Sequence, residues 1–263
     1  MYMKSLLHKV ISFLFPHYCL GCKVNGPSIC NKCLLTIPPP ERDLPRGIYA
    51  LYDYRDPLIK KALWNLKYGN IPELATIVAP QMYETILEIL SEEYALLEAK
   101  NIIIIPIPTS GDKSKKRTYN HAYKIAQAVV EYQNKITNQP AHPSPALPLA
   151  GRGNQLQVSR RKWLLLNPLI KIKKTERQAL VKGRDKRMKN IKGAYGIKKH
   201  FLSPGAEHLG YSQFSRCSAP GNLENAFFII IDDITTTGAS INEAMRALKP
   251  LKPRHVFGIT IAH

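Results

Sequence analysis

Apolar positions change their spacing along this chain, and each change marks an element. Near the start, Leu6, Leu7, Val10, Ile11 and Leu14 recur three or four apart, which predicts a short amphipathic helix laid on the body. Residues 36–46 are rich in proline and charge and read as a linker. Residues 47–54 read as a strand. Asp56-Pro57 then opens a helix with Leu58, Ile59, Ala62, Leu63 and Leu66 on one face and Gly69 as its C-cap. A long helical region follows over 72–99. The run Ile102-Ile103-Ile104-Ile105 shows no polar alternation, as expected of a strand covered on both faces. Pro106-Ile107-Pro108 leads into a loop over 109–118 and then a helix over 119–132. Residues 163–172 read as a strand, 241–248 as a helix and 254–261 as a last strand. Strands alternating with helices predict an α/β fold with a parallel sheet flanked by helices.

Two stretches break that rhythm. Residues 139–161 carry Pro140, Pro143, Pro145 and Pro148 and then Gly151-Arg152-Gly153-Asn154. Residues 203–222 mix Gly, Ser and Pro with few periodic apolar positions. Both exceed ordinary loop lengths and read as disordered surface insertions. Between them, residues 175–195 form a basic stretch with Arg184, Arg187, Lys189 and Asn190.

The most informative segment is 227–240. Phe227-Phe228-Ile229-Ile230-Ile231 runs into Asp232 and Asp233, and Thr235-Thr236-Thr237-Gly238-Ala239-Ser240 leads into the next helix. A buried parallel strand of this kind delivers both acids to the C-terminal edge of the sheet, where ligands of open α/β folds bind. Backbone N–H groups at a helix start cradle phosphate, and a glycine lets the backbone come close. The hydroxyls of Thr236, Thr237 and Ser240 add donors. Carboxylates repel phosphate, so Asp232 and Asp233 suit hydroxyls or a metal-bound sugar. A plain α/β strand ending in acids, as in nucleotide hydrolases and receiver domains, is the other reading of the strand and its acids.

Four of the five cysteines lie in the first 33 residues, as Cys19-x-x-Cys22 and Cys30-x-x-Cys33. Two such turns bring four sulfurs to one point, which suits a structural tetrahedral Zn2+ with no open position for water. An iron–sulfur cluster and disulfides are the alternatives, the latter at odds with the lack of a secretory signal. Cys217 lies apart in a Gly/Ser/Pro-rich stretch and reads as incidental.

Charge narrows the partners. Lys and Arg total 38 against 19 acids, a formal net charge of +19, which favours nucleic acid, phosphorylated ligands or an anionic membrane face. A generally basic, solvated surface is the plain alternative. The loop over 109–118 concentrates Lys113, Lys115, Lys116 and Arg117 beyond a strand end, well placed either to meet a polyphosphate or simply to face water. No run of about 18 apolar residues exists, so no transmembrane segment is expected. Lys9 interrupts the first apolar stretch, and Pro16-His17-Tyr18-Cys19 is a poor cleavage site, so a cytoplasmic protein is expected.

The segment 227–240 resembles the phosphoribosyl pyrophosphate (PRPP) motif of type I phosphoribosyltransferases, with Ser240 where threonine is commoner. Further pieces extend the likeness in order: Phe15-Pro16-x-x-Cys19-x-x-Cys22 and the second knuckle, Tyr52-x-Tyr54, and Leu66-Lys67-Tyr68-Gly69. Then come Pro106-x-Pro108, Arg117-x-Tyr119-Asn120-x-Ala122, Thr175-x-x-Gln178 and Arg187-x-x-Asn190-x-x-Gly193-Ala194-Tyr195. The whole set resembles the ComF family (competence protein F). The family usually has Arg-Gly-Phe-Asn where this chain has Arg117-Thr118-Tyr119-Asn120, and the segment after Gln178 is one residue out of phase.

The resemblance implies an N-terminal helix and zinc knuckle over 1–40 and a type I phosphoribosyltransferase-like domain over 47–263, interrupted by the two insertions. It implies action in DNA uptake, beside a DNA-translocating helicase and in contact with single-stranded DNA. As an enzyme, the chain would hold the 5-phosphate of PRPP at Thr235, Thr236, Thr237, Gly238, Ala239 and Ser240. Asp232 and Asp233 would hold the ribose hydroxyls, and Lys115, Lys116 and Arg117 would close on pyrophosphate with Mg2+. The rival is a non-catalytic module that binds single-stranded DNA through its charge and through Tyr68, Tyr119 and Tyr195. A nucleobase-salvage transferase is a third reading, and the sequence offers no clear base-specific hood for it.

Overall fold

The structure, a computed structural model, describes residues 18–68, 73–92, 101–109, 120–138, 163–173, 175–176, 181, 183–202 and 223–263. The expected N-terminal helix, the basic residues Lys113, Lys115, Lys116 and Arg117, the two insertions, Gly69 and Cys217 lie outside the described residues.

Five strands form one parallel sheet in the order β1-β7-β6-β2-β3: β1 (Ile48–Tyr52), β7 (His255–Ala262), β6 (Phe227–Ile234), β2 (Ile102–Pro106) and β3 (Trp163–Leu165). The centre is β6, paired Ile104 to Ile229 with β2 and Ile229 to Phe257 with β7. Every residue of β2 and the first five of β6 are buried, as their unbroken apolar runs require of strands covered on both sides.

Successive residues of a strand point to opposite faces, and the sheet has two cores accordingly. Ile102, Ile104, Phe227, Ile229 and Ile231 face one core, shared with helices α2 (Pro57–Tyr68), α3 (Glu73–Glu92) and α4 (His121–Thr137). Ile103, Ile105, Phe228 and Ile230 face the other, shared with α6 (Ala239–Leu248). The second face also carries Ile191 of helix α5 (Arg184–Ile191) and a two-stranded antiparallel sheet of β4 (Leu169–Lys171) and β5 (Tyr195–Ile197).

Asp56 caps α2 as its place before Pro57 foretells, its Oδ1 accepting from the backbone N–H of Leu58 and Ile59 at 2.8 and 3.0 Å. Asn120 caps α4 and donates from Nδ2 to the Ile107 carbonyl, tying that helix start to the end of β2. One expectation needs correction. Residues 163–172 are not one strand: β3 joins the parallel sheet, β4 pairs with β5, and Asn167-Pro168 separates them. Proline cannot donate to a ladder and restricts the residue before it, so an unbroken strand is disfavoured there.

The cysteine turns, with helical turn α1 (Asn31–Leu34), are packed onto the main body. Ile29, Leu34 and Ile37 belong to the same buried cluster as Ile59, Leu63 and Leu66 of α2. No helix among the described residues is long and apolar enough to cross a membrane.

Candidate functional site

The topology itself marks a place for a ligand. From β2 the chain passes by way of α4, on the first face, to β3. From β6 it passes by way of α6, on the second face, to β7. Neighbouring strands whose connections leave in opposite directions open a crevice beyond their C-terminal ends, where ligands of such sheets bind. Here those ends are Pro106-Ile107 on β2 and Asp232-Asp233 on β6, joined by a hydrogen bond from the Ile107 N–H to the Ile231 carbonyl at 3.0 Å.

The turn after the acids is closely built. Thr235 is buried and its N–H donates to the Ala262 carbonyl at 3.0 Å, so the turn begins anchored on β7. Gly238 precedes α6 with φ 72°, in the left-handed region. A Cβ there would lie 2.6 Å from Ile48 Cδ1 and 2.9 Å from Pro45 Cγ, so conformation and space both demand glycine. The N–H of Gly238 donates to Thr235 Oγ1 at 3.2 Å and that of Ala239 to Thr237 Oγ1 at 3.4 Å. Both are longer than a strong N–H···O bond, so an anion can replace these hydroxyls at modest cost. Ser240, on the first turn of α6, is hydrogen-bonded to the hydroxyl of buried Tyr195 from β5. The structure therefore brings Asp232, Asp233 and residues 235–240 together at one edge.

The acid pair is electrostatically unusual. The Asp233 backbone N–H donates to Asp232 Oδ1 at 2.9 Å, which fixes the orientation of the Asp232 carboxyl. Burial, reinforced by the adjacent Asp233 charge, pushes the Asp232 carboxyl up to about 8. Lys67, in the last turn of α2, places Nζ 3.0 Å from Asp233 Oδ2, and this ion pair is largely shielded from water. His121, the first residue of α4, feels both Asp233 and Lys67, and burial holds its imidazole below the usual range. Burial, with Asp232 nearby, also raises the Tyr195 phenol.

Lys67 and His121 were not among the site residues expected from sequence, and Tyr195, expected to stack on DNA bases, is instead buried in the core near Asp232 and offers no face to a base. Lys67 and Tyr195 stood inside motifs, but a lysine near a helix C-terminus is usual there as a dipole partner. Nothing in the spacing shows that its ammonium turns toward β6.

The second cluster is the cysteine knuckle. The sulfurs of Cys19, Cys22, Cys30 and Cys33 all lie within 4.8 Å of one another, and Cys22 and Cys30 are 3.7 Å apart. A tetrahedral ion with metal–sulfur bonds of about 2.3 Å sets its ligands about 3.8 Å apart, so the cluster fits a metal ion after small adjustment. Burial alone would raise the Cys19 thiol, but N–H groups of Cys30, Cys22 and Gly21 aimed at its sulfur bring it down to about 6. Cys33, sharing hydrogen bonds with Cys30 and packed among the other thiols, is pushed up to about 12. Four sulfurs this close ionise together only around a cation. A Cβ on Gly21 would lie 2.7 Å from Cys33 Sγ and 3.3 Å from Leu58 Cδ2, so glycine lets this turn lie against α2.

No protein-family model matches the chain, and no curated protein matches it.

Proposed function

We propose that this chain is a ComF-like protein of the type I phosphoribosyltransferase fold that binds PRPP or a ribose 5-phosphate ligand and acts in DNA uptake. The observation that carries the reading is the acid pair set beside a glycine-demanding phosphate turn at the switch point between β2 and β6. The turn over 235–240 suits the 5-phosphate, exchanging the long bonds to Thr235 and Thr237 for phosphate oxygens. Asp232 and Asp233 suit the 2- and 3-hydroxyls of the ribose and shield the positive charge that develops there as pyrophosphate leaves. Catalysis of that step is positioning and electrostatics. Lys115, Lys116 and Arg117 would meet the pyrophosphate, with Mg2+ arriving on the ligand. The knuckle ion is assigned as structural zinc, held by Cys19, Cys22, Cys30 and Cys33 against α2. The reading sets the protein in the cytoplasm, where such thiols stay reduced.

Calorimetric titration of the zinc-loaded protein with magnesium–PRPP tests it, alongside the double variant Asp232→Asn, Asp233→Asn. Binding by the wild-type chain that vanishes in the variant is expected. A folded wild-type chain that binds no PRPP would sink the proposal.

One surface favours a second reading, single-stranded DNA binding without catalysis as an accessory of a competence helicase. Trp64 is 59% exposed and Tyr68 71%, their ring centroids 5.5 Å apart one turn along α2, with Lys60 and Lys61 exposed on the turn before. Aromatic faces interleaved with lysines suit stacked bases and their phosphates. The readings are compatible, since α2 carries this face and also carries Lys67 in its last turn.

A further inference from the structure

Lys67 has no role in the function proposed so far, yet its placement is costly. A lysine in the last turn of a helix ordinarily extends into water and complements the helix dipole. This one turns inward from α2 and sets its ammonium 3.0 Å from Asp233 Oδ2 at the end of β6. Its side chain keeps 29% of its exposure and that of Asp233 only 15%. A shielded ion pair between two separate elements forgoes hydration on both partners, and it is weak grounds for stability. A functional account is therefore worth seeking.

The surroundings supply one. The site asks two carboxyl groups to stand beside a turn suited to phosphate. Two uncompensated acids would repel the very ligand the turn is shaped for. We propose that Lys67 is a positioning residue of this site, clamping Asp233 in place and cancelling one charge of the acid pair so that a phosphorylated, hydroxyl-bearing ligand does not meet two bare negative charges. The inference rests on the phosphoribosyl reading of the turn and names the residue that reconciles its two halves.

Each group facing the pair fits this balance. Asp233 is paired to Lys67, and the Asp233 N–H holds Asp232 Oδ1 at 2.9 Å. Burial and Asp233 push the Asp232 carboxyl upward, while Lys67 lowers it only in part. From α4, His121 stays neutral through burial although Asp233 draws it upward. From β5, the Tyr195 phenol is kept protonated by its burial. Lys67 supplies the positive charge of the cluster. The arrangement also sets a direction. As pH rises and Asp232 ionises, the cluster gains negative charge and the phosphorylated ligand binds less well.

The test compares the full-length wild-type chain with Lys67→Met and Lys67→Arg. Ribose 5-phosphate is titrated calorimetrically between about pH 6 and pH 9, and the aspartate carboxyl carbons of the free proteins are titrated by NMR. Wild-type affinity is expected to fall as pH rises. Lys67→Met is expected to bind on the order of tenfold more weakly near pH 7, since one unit charge within a few ångströms is at stake in a partly shielded site. Its carboxyl midpoint for Asp232 is expected to move upward, and Lys67→Arg to restore most of the affinity because it keeps the charge. Thermal melts of the same proteins show whether each variant is folded. A folded Lys67→Met with wild-type affinity and an unmoved carboxyl midpoint overturns the role of Lys67 and leaves the phosphoribosyl reading standing. A wild-type chain that binds no ribose 5-phosphate at any pH overturns that reading, and this inference with it.

Discussion

Replacing Asp232 by asparagine should make the ligand-free protein more stable at neutral pH. Asparagine keeps an oxygen for the Asp233 N–H, whose bond to Asp232 Oδ1 is 2.9 Å, so the geometry survives and only the charge is lost. Burial and the neighbouring Asp233 raise the Asp232 carboxyl from an ordinary 3.8 to about 8. A folded-state value above the unfolded one means that the folded chain holds a proton the unfolded chain releases. Stability is then full below about pH 4 and is lost progressively as pH rises to about 8. At 1.36 kcal/mol per unit, the cost at pH 7 has an upper bound of roughly 4 kcal/mol. Asp232 keeps a minor exposure to solvent, and screening reduces this to about 2 kcal/mol. For a chain of this size that is a gain of roughly 4–8 °C in melting temperature. Thermal unfolding of wild type and Asp232→Asn at about pH 4, 7 and 9 measures it. The two should melt together at the lowest pH and diverge as pH rises, with the variant higher. A variant that melts at or below wild type across the whole range would refute the reasoning, because Asp232 would then carry no electrostatic cost.

Three further outcomes follow from the same geometry. Gly238→Ala should cost about 2–4 kcal/mol in a denaturant melt, because φ is 72° and the added carbon meets Ile48 and Pro45, and it should weaken phosphate binding as well. Stripping metal with a chelator, or changing Cys33→Ser, should lower the melting temperature by roughly 5 °C or more, read beside metal content by mass spectrometry, because Ile29, Leu34 and Ile37 lose their support. Trp64→Ala with Tyr68→Ala should weaken binding of a fluorescent single-stranded oligonucleotide by about tenfold or more with little change in melting temperature, since both rings are mainly exposed.

What could be read without coordinates follows from which forces act locally. The runs Ile102–Pro106 and Phe227–Ile234 announce buried parallel strands because their apolar residues do not alternate. The β6–α6 turn was legible for a similar reason: carboxyl, hydroxyl and glycine residues at fixed offsets have a geometric use on their own. The split at Pro168 was also written in the sequence, but the apolar residues on both sides of Asn167-Pro168 masked it. Lys67 was of another kind. Its partner lies on a strand distant in the chain, and no periodicity within α2 distinguishes an inward-turned lysine from a solvated one. The upward push on the Asp232 carboxyl was equally hidden, since it depends on burial that only the packed sheet creates.

The helix α2 connects the two chemical centres of this protein. Its first turn carries Leu58, against which Gly21 brings the cysteine turn, and its last turn carries Lys67, which holds Asp233. Between them Ile59, Leu63 and Leu66 are buried in the core they share with Ile29 and Leu34. A helix pinned at both ends and along one face cannot shift at one end alone without breaking packing, because interiors are close-packed. The knuckle is therefore part of the scaffold that sets where Lys67 stands, although it lies away from the acid pair. Such an arrangement gives a structural reason for a small four-cysteine unit packed onto an α/β body. About twelve residues of helix span roughly 18 Å, with the four-cysteine cluster packed at one end of that span and the acid pair at the other.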